Sequence, residues 1–275
     1  MLKFFKQFLI YGFASVIGKI AAVFLMPFYT NVLTKEEYGT MALITACKGI
    51  IDLVSNFNIH SGIARDYFED GVNRKKLIST GFFSIVICSL LVLFIMYFSR
   101  NIWINNVLNI RGYEAAFIVM ILSIPSGSLL SYFAILTRFK NKPISYSFGS
   151  VAQLLIQISL SVYLVLIVKT GIVGVFLAVL IAECFGIIYF GILNRENLSF
   201  TFDKSVLKRA LIFSLPTLPA ILAGWIDSSM GQIMVGQYVS MEELGVYSVA
   251  LQLVSVFSLI SVALNNVWSP YVYEN

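Results

Sequence analysis

Charge is scarce in this chain. Only 12% of its residues are Asp, Glu, Lys or Arg, about half the share of a typical soluble domain. There is one histidine, His60, and the three cysteines, Cys47, Cys88 and Cys184, lie singly in apolar runs without a Cys-x-x-Cys pair. That excludes a sequence-evident zinc site and a disulfide framework. No Gly-x-x-x-x-Gly-Lys-Ser/Thr stretch occurs, so the chain carries no P-loop of its own, and there is no Ser/His/Asp set for nucleophilic catalysis. The apolar run beginning at Phe8 is too long for the core of a cleaved signal and is expected to stay as a first membrane span.

Apolar residues, by contrast, make up 59% of the chain, and the mean hydropathy is +0.87. A span needs about 20 mostly apolar residues. Eight such stretches are expected: 8–33, 39–59, 77–98, 113–137, 144–168, 171–193, 211–237 and 244–268. The fold class is therefore an all-α polytopic membrane protein. Longer connections are expected at 61–76, 99–112 and 194–210, the last lying partly along the membrane surface.

The net charge of +5 and pI near 9.0 do not point to nucleic acid, because the cations are segregated by loop. Most of the 19 Lys and Arg, including Arg74, Lys75, Lys76, Arg138, Lys140, Lys142 and Lys208, fall on one side of the eight-span arrangement. Lys35, Arg100, Arg111 and Lys169 fall on the other. By the positive-inside rule the first side, with the N-terminus, is cytoplasmic.

One short motif occurs twice. Thr34-Lys35-Glu36-Glu37-Tyr38-Gly39 follows an apolar stretch with one charge, Lys19. Ser240-Met241-Glu242-Glu243-Leu244-Gly245 follows another with one charge, Asp227, at an offset of 206 residues, from 34 to 240. The echo suggests two repeat-related halves. The expected organisation is an N-terminal six-helix lobe at 1–193, a cytoplasmic linker at 194–210, and the first two helices of a second lobe at 211–275. On that count the chain reads as an N-terminal piece of a six-plus-six protein; the alternative is a genuine eight-span protein.

Charges inside spans are the main functional pointers. Each costs about 2.5–3.5 kcal/mol at a helix centre, so Lys19, Lys48, Asp52, Glu183 and Asp227 facing lipid would cost on the order of 12–17 kcal/mol together. They must pair, neutralise or line water. Lys19, Lys48, Asp52 and Asp227 are the substrate-cavity candidates, and Glu183 and Asp227 the coupling-ion candidates. Other readings stay open. Lys19 could pair structurally with Asp52 or Asp227. Lys48 and Asp52, four apart on one helix face, could neutralise each other. Glu183 sits among small residues that suggest close helix packing. Gln153, Gln157 and Ser161 form a polar stripe, and Pro125-Ser126-Gly127-Ser128 loosens a span; both suit interhelical contacts as well as sugar contacts. Pro216 and Pro219 precede Asp227 and should bend its helix. His60 lies at a span end and suits the membrane interface better than catalysis.

The stretch Gly12-Phe13-Ala14-Ser15-Val16-Ile17-Gly18-Lys19, followed by Pro27-Phe28-Tyr29-Thr30-Asn31-Val32-Leu33-Thr34-Lys35-Glu36-Glu37-Tyr38-Gly39, resembles the opening of the polysaccharide transporter family. That family includes the Wzx-type O-antigen flippases of the multidrug/oligosaccharidyl-lipid/polysaccharide exporter superfamily. The resemblance implies 12 or 14 spans in two six-helix lobes around a cavity. It also implies transfer of undecaprenyl-diphosphate-linked oligosaccharide from the cytoplasmic to the outer leaflet of a bacterial inner membrane, without enzymatic chemistry. No cofactor is expected beyond proton or sodium coupling. The expected partners are the lipid-linked oligosaccharide, membrane lipid, and a polysaccharide polymerase with its chain-length machinery, and not nucleic acid. A drug/cation antiporter of the same fold would prefer an acidic cavity, against which Lys19 and Lys48 stand. A membrane enzyme of polysaccharide assembly would need a larger polar outer loop than 99–112.

Overall fold

A computed structural model describes residues 17–18, 20–21, 23–69, 71–140 and 142–255. All regular structure among them is helical. The helices are α1 (Val23–Val32), α2 (Lys35–Asn56), α3 (Ile59–Tyr67), α4 (Arg74–Ile102), α5 (Glu114–Leu122), α6 (Ile124–Phe139), α7 (Pro143–Val162), α8 (Ile172–Asn194), α9 (Lys204–Ser214), α10 (Leu218–Tyr238) and α11 (residues 241–255).

Six helices or helix pairs are long and apolar enough to cross a bilayer: Lys35–Asn56, Arg74–Val107, Glu114–Phe139, Pro143–Ile167, Ile172–Asn197 and Lys204–Tyr238. The shortest has 22 residues, about 33 Å at 1.5 Å per residue, enough for a hydrocarbon core of about 30 Å. They correspond to the second to seventh expected spans. Of the first, Val23–Val32 is a short apolar helix, and of the eighth, residues 241–255 are helical; the rest of both lies outside the described residues. Large apolar side chains on α4 such as Leu91, Phe94, Ile95 and Phe98 are exposed, as a lipid-facing surface requires.

Local chemistry sets the helix limits. The Thr34 hydroxyl accepts from the Glu37 amide at 3.1 Å, and the Glu37 carboxylate accepts from the Thr34 amide at 2.8 Å. This reciprocal cap satisfies two otherwise orphaned donors of α2. Phe57 and Asn58, both with positive φ, end α2 and turn the chain into α3. Ser123 interrupts the fourth expected span, between α5 and α6, and Pro125 enters α6 at its first turn, where proline costs no helical hydrogen bond.

The connections are more ordered than their polar composition suggests. Part of 61–76 belongs to α3. Much of 99–112 is helix, because α4 runs to Ile102 and a wider π-type turn carries it to Val107. There the Ser99 and Asn105 side chains donate back to the carbonyls of Ile95 and Asn101, so the polar residues decorate the helix rather than end it. Within 194–210, Asp203 caps α9. Val206 and Ala210 are buried along α9 at helical spacing, with Gly62 of α3 against the Ala210 backbone.

Two apolar clusters fill the interior. One holds Cys47 and Ile51 of α2, Ile124 of α6 and Phe176 of α8. The other holds Ile59 of α3, Tyr132 and Phe133 of α6 and Phe190 of α8. Each of the three paths carries polar side chains between the clusters: Asp52 and Ser55 on α2, Ser126 and Ser128 on α6, and Glu183 on α8. A polar layer therefore separates two apolar ones.

Candidate functional site

The polar layer contains a buried ion cluster. Lys48 Nζ donates to Asp52 Oδ2 at 2.8 Å and lies 3.5 Å from Glu183 Oε1. The Ser126 hydroxyl donates to Glu183 Oε2 at 2.5 Å. Gly127 passes over the pair; a Cβ there would stand 3.1 Å from Lys48 Nζ and 3.3 Å from Glu183 Oε1. The Lys48 and Glu183 side chains are only 12% and 10% exposed. Asp52 Oδ1 is buried and accepts no hydrogen bond among the described residues. One ammonium faces two carboxylates, so the cluster carries one excess negative charge when all three are ionised. In a low-dielectric layer that excess calls for a proton or a cation.

Of the residues singled out in the sequence, the fold brings Lys48, Asp52 and Glu183 together. Asp227 on α10 is exposed, with no ion pair among the described residues. Lys19 lies outside the described residues. Sequence reasoning treated Ser126 and Ser128 only as a loosened stretch. In the fold Ser126 binds Glu183 of α8, and Ser128 meets Ser55 of α2 at 2.7 Å. Two residues apart on a helix means about 200° apart around it, so a Ser-x-Ser pair beside a proline was the available signal that one helix bridges two neighbours. Ser161 of the expected stripe meets the Tyr29 hydroxyl at 2.6 Å. No group of three or more His, Cys, Asp or Glu among the described residues is placed to hold a metal ion.

α2 and α10 run side by side in opposite directions. The Asn58 amide donates to Thr217 at 2.8 Å at one end, and Trp225 Nε1 donates to the Ala46 carbonyl at 3.1 Å further along. At the other end the two repeated corners meet. A Cβ on Gly39 would strike the Met241 carbonyl, and a Cβ on Gly245 would strike the Lys35 carbonyl. Met241 is the residue that the 206-residue offset matches to Lys35, and Gly245 the one it matches to Gly39. The contact is thus reciprocal, as between surfaces related by a two-fold axis. Ser240 also repeats the capping role of Thr34, accepting from the Glu243 amide at 3.1 Å.

Beside this contact is a cavity of about 410 Å³ between α2, α10 and α11, lined by Tyr38, Thr45, Ser228, Gln232, Ser248 and Gln252 together with apolar side chains. The Tyr38 hydroxyl donates to Gln252 Oε1 at 2.7 Å across it. None of its lining residues is charged. A second cavity, of about 370 Å³, lies within the first lobe between α3, α6, α7 and α8.

Residues 4–275 match the family described as polysaccharide biosynthesis protein. The chain belongs to that family. It is 23% identical to Lsg locus protein 1 of Haemophilus influenzae over 99% of its own length and 67% of the relative's. Its fold resembles that of a multidrug resistance MATE family transporter of the MOP superfamily solved in an inward-facing conformation. The TM-score is 0.64 at 14% identity, over 87% of this chain and 57% of the transporter. This member of the polysaccharide biosynthesis family thus spans about two thirds of one relative and little more than half of the other. It is a multi-pass membrane protein with a transporter's helical fold.

Proposed function

We propose that the chain is the N-terminal part of a flippase that moves undecaprenyl-diphosphate-linked oligosaccharide across a bacterial inner membrane by alternating access. The observation that carries this reading is the reciprocal contact of the two repeated corners beside a polar, uncharged cavity. A headgroup of sugars and phosphates cannot cross hydrocarbon unaided, because its polar groups would lose their hydrogen bonds to water. Tyr38, Thr45, Ser228, Gln232 and Gln252 offer replacements. Separation of the Gly39 and Gly245 corners would open that cavity towards their side of the membrane, and closure of the opposite ends would follow as the lobes rock.

The Lys48–Asp52–Glu183 cluster is proposed to hold the coupling proton or cation, which its excess negative charge calls for. Lys19 and Asp227 are proposed as further cargo or coupling contacts. The N-terminus is proposed to be cytoplasmic, on the positive-inside distribution of Lys and Arg, and a polymerase with its chain-length machinery is proposed to receive the product. A cation antiporter of the same fold is the second reading, favoured only by the acid excess of the cluster. The uncharged lining of the cavity beside α10 favours the oligosaccharide.

The test is complementation by the complete gene in a strain lacking its own flippase. Surface polysaccharide should return with the wild type. It should be lost with Lys19→Ala at unchanged protein level and partly retained with Lys19→Arg. Drug efflux with no recovery of polysaccharide would establish the antiporter instead.

A further inference from the structure

The cavity within the first lobe is chemically unlike the one beside α10. It is lined by Arg138 at the end of α6, His60 on α3, Ser131 on α6, and Tyr146, Ser150 and Gln153 on α7, with Phe190 of α8 among its apolar residues. Its lining contains no carboxylate. The Arg138 guanidinium stands 5.2 Å from the centre of the Tyr146 ring and makes no ion pair among the described residues. His60, Ser131, Ser150 and Gln153 have no side-chain hydrogen-bond partner among the described residues. Half-buried polar groups are normally paired, so His60, Ser150 and Gln153 converging on one cavity beside the Arg138 cation, with the exposed Ser131 hydroxyl at its mouth, constitute an unused binding capacity. The volume of about 370 Å³ falls within the range of small-molecule sites, about 300–1,000 Å³. The cavity sits at the helix ends that carry Lys140 and Lys142, the basic end of the bundle.

We infer that this cavity is a phosphate-binding site, which takes a phosphate monoester or diphosphate through Arg138 and His60 and the polar group attached to it through Ser131, Ser150 and Gln153. A guanidinium presents paired donors that match two phosphate oxygens, and its planar face remains stacked on Tyr146 while it does so. The imidazole supplies a further donor. Burial and then the Arg138 charge hold the His60 pKa below its ordinary value. The titratable and charged groups lining the cavity are Arg138, His60 and Tyr146. A bound phosphate reverses the balance: its negative charge offsets Arg138 and stabilises the imidazolium. Phosphate binding and His60 protonation are therefore linked and favour each other. The site is distinct from the proposed oligosaccharide cavity and stands or falls independently of the transport reading.

His60 is the only histidine in the chain, so it is its own reporter. The full chain, purified with a histidine-free tag, is placed in phosphatidylcholine nanodiscs, and the His60 ring is titrated by NMR. One arm contains chloride, a second inorganic diphosphate at equal ionic strength, and a third adds phosphatidic acid to the nanodiscs. Diphosphate or phosphatidic acid is expected to raise the midpoint of the His60 titration by about one pH unit, a tenfold change in its protonation equilibrium. A rise with diphosphate identifies a soluble phosphate ligand, and a rise with phosphatidic acid alone a lipid headgroup. Arg138→Gln should abolish the saturable rise, Arg138→Lys should retain part, and Ser150→Ala should weaken binding severalfold without touching either cation. An identical midpoint in all three arms overturns the site, as does an undiminished rise in Arg138→Gln. A rise in this chain, with no polysaccharide recovered by the complete gene, keeps the site and loses the transport reading.

Discussion

At the residue scale, the decisive side chain is Lys48. It lies within a helix, yet its ammonium is surrounded by Asp52, Glu183 and the Gly127 backbone. Removing one partner from a buried ionic group leaves uncompensated charge, at a cost of about 3–5 kcal/mol. Lys48→Met is therefore expected to lower the thermal midpoint of the detergent-solubilised protein by several degrees. Adding Glu183→Gln to that variant should restore part of the loss, since it removes one of the two carboxylates left behind. A double variant no more stable than Lys48→Met would show that Lys48 and Glu183 are not coupled. Asp203 is a contrasting case on the surface. Lys76 donates to it at 2.7 Å, and the Ser205 amide and hydroxyl also donate to it. These contacts hold its carboxyl well below the usual carboxylate range. The unfolded chain then binds the extra proton first as pH falls, so the contribution of Asp203 is present above about pH 4 and is lost below it. Asp203→Asn should speed amide exchange at Ser205–Leu207 at neutral pH, and the difference from wild type should shrink as the pH drops below about 4.

At the scale of the element, the two repeated corners are the most sensitive joint. Gly39 and Gly245 each meet a backbone carbonyl of the other corner. A carbonyl in a capped first helical turn cannot swing aside as a flexible side chain can, so an added methyl must push the helices apart. Gly39→Ala is expected to expose the cavity beside α10. In a background with Cys47, Cys88 and Cys184 replaced by alanine, a cysteine at Ser248, which is buried in wild type, should react severalfold faster with a membrane-impermeant maleimide. Unchanged labelling would mean that the corners do not guard that cavity. Gly245→Ala should behave alike, because the contact is reciprocal.

For the whole molecule, the distribution of cations and the helix order make one joint statement. Helix ends near Arg74, Lys142 and Lys204 lie at one end of the bundle, and the Thr34 and Ser240 corners at the other. Reporter fusions after Lys142 and Arg209 should therefore read cytoplasmic, and fusions after Glu37 and Lys169 external. A cytoplasmic signal at Glu37 would invert the orientation and place the corner contact on the inner face.

The sequence by itself determined what depends on near neighbours along the chain. Apolar runs of more than 20 residues dictate spans, Thr34 with Glu37 dictates a helix start, and Lys48 with Asp52 is a pair one turn apart. Even the repeat was legible, since it is a pattern of residue types at a fixed offset. Tertiary structure decided what depends on the rotation of one helix against another. Nothing in the run around Glu183 says that its carboxylate faces Lys48, and nothing in the run around Asp227 says that its side chain is exposed. The polar stretches at 99–112 and 194–210 read as loops because composition reports solubility, whereas back-bonding side chains and packing on α3 determine whether the backbone stays helical. The phosphate-site residues show the same limit. His60, Arg138 and Gln153 are unremarkable one by one, and only the packing of α3, α6 and α7 brings them to one cavity, because the sequence specifies each helix face but not the face opposite.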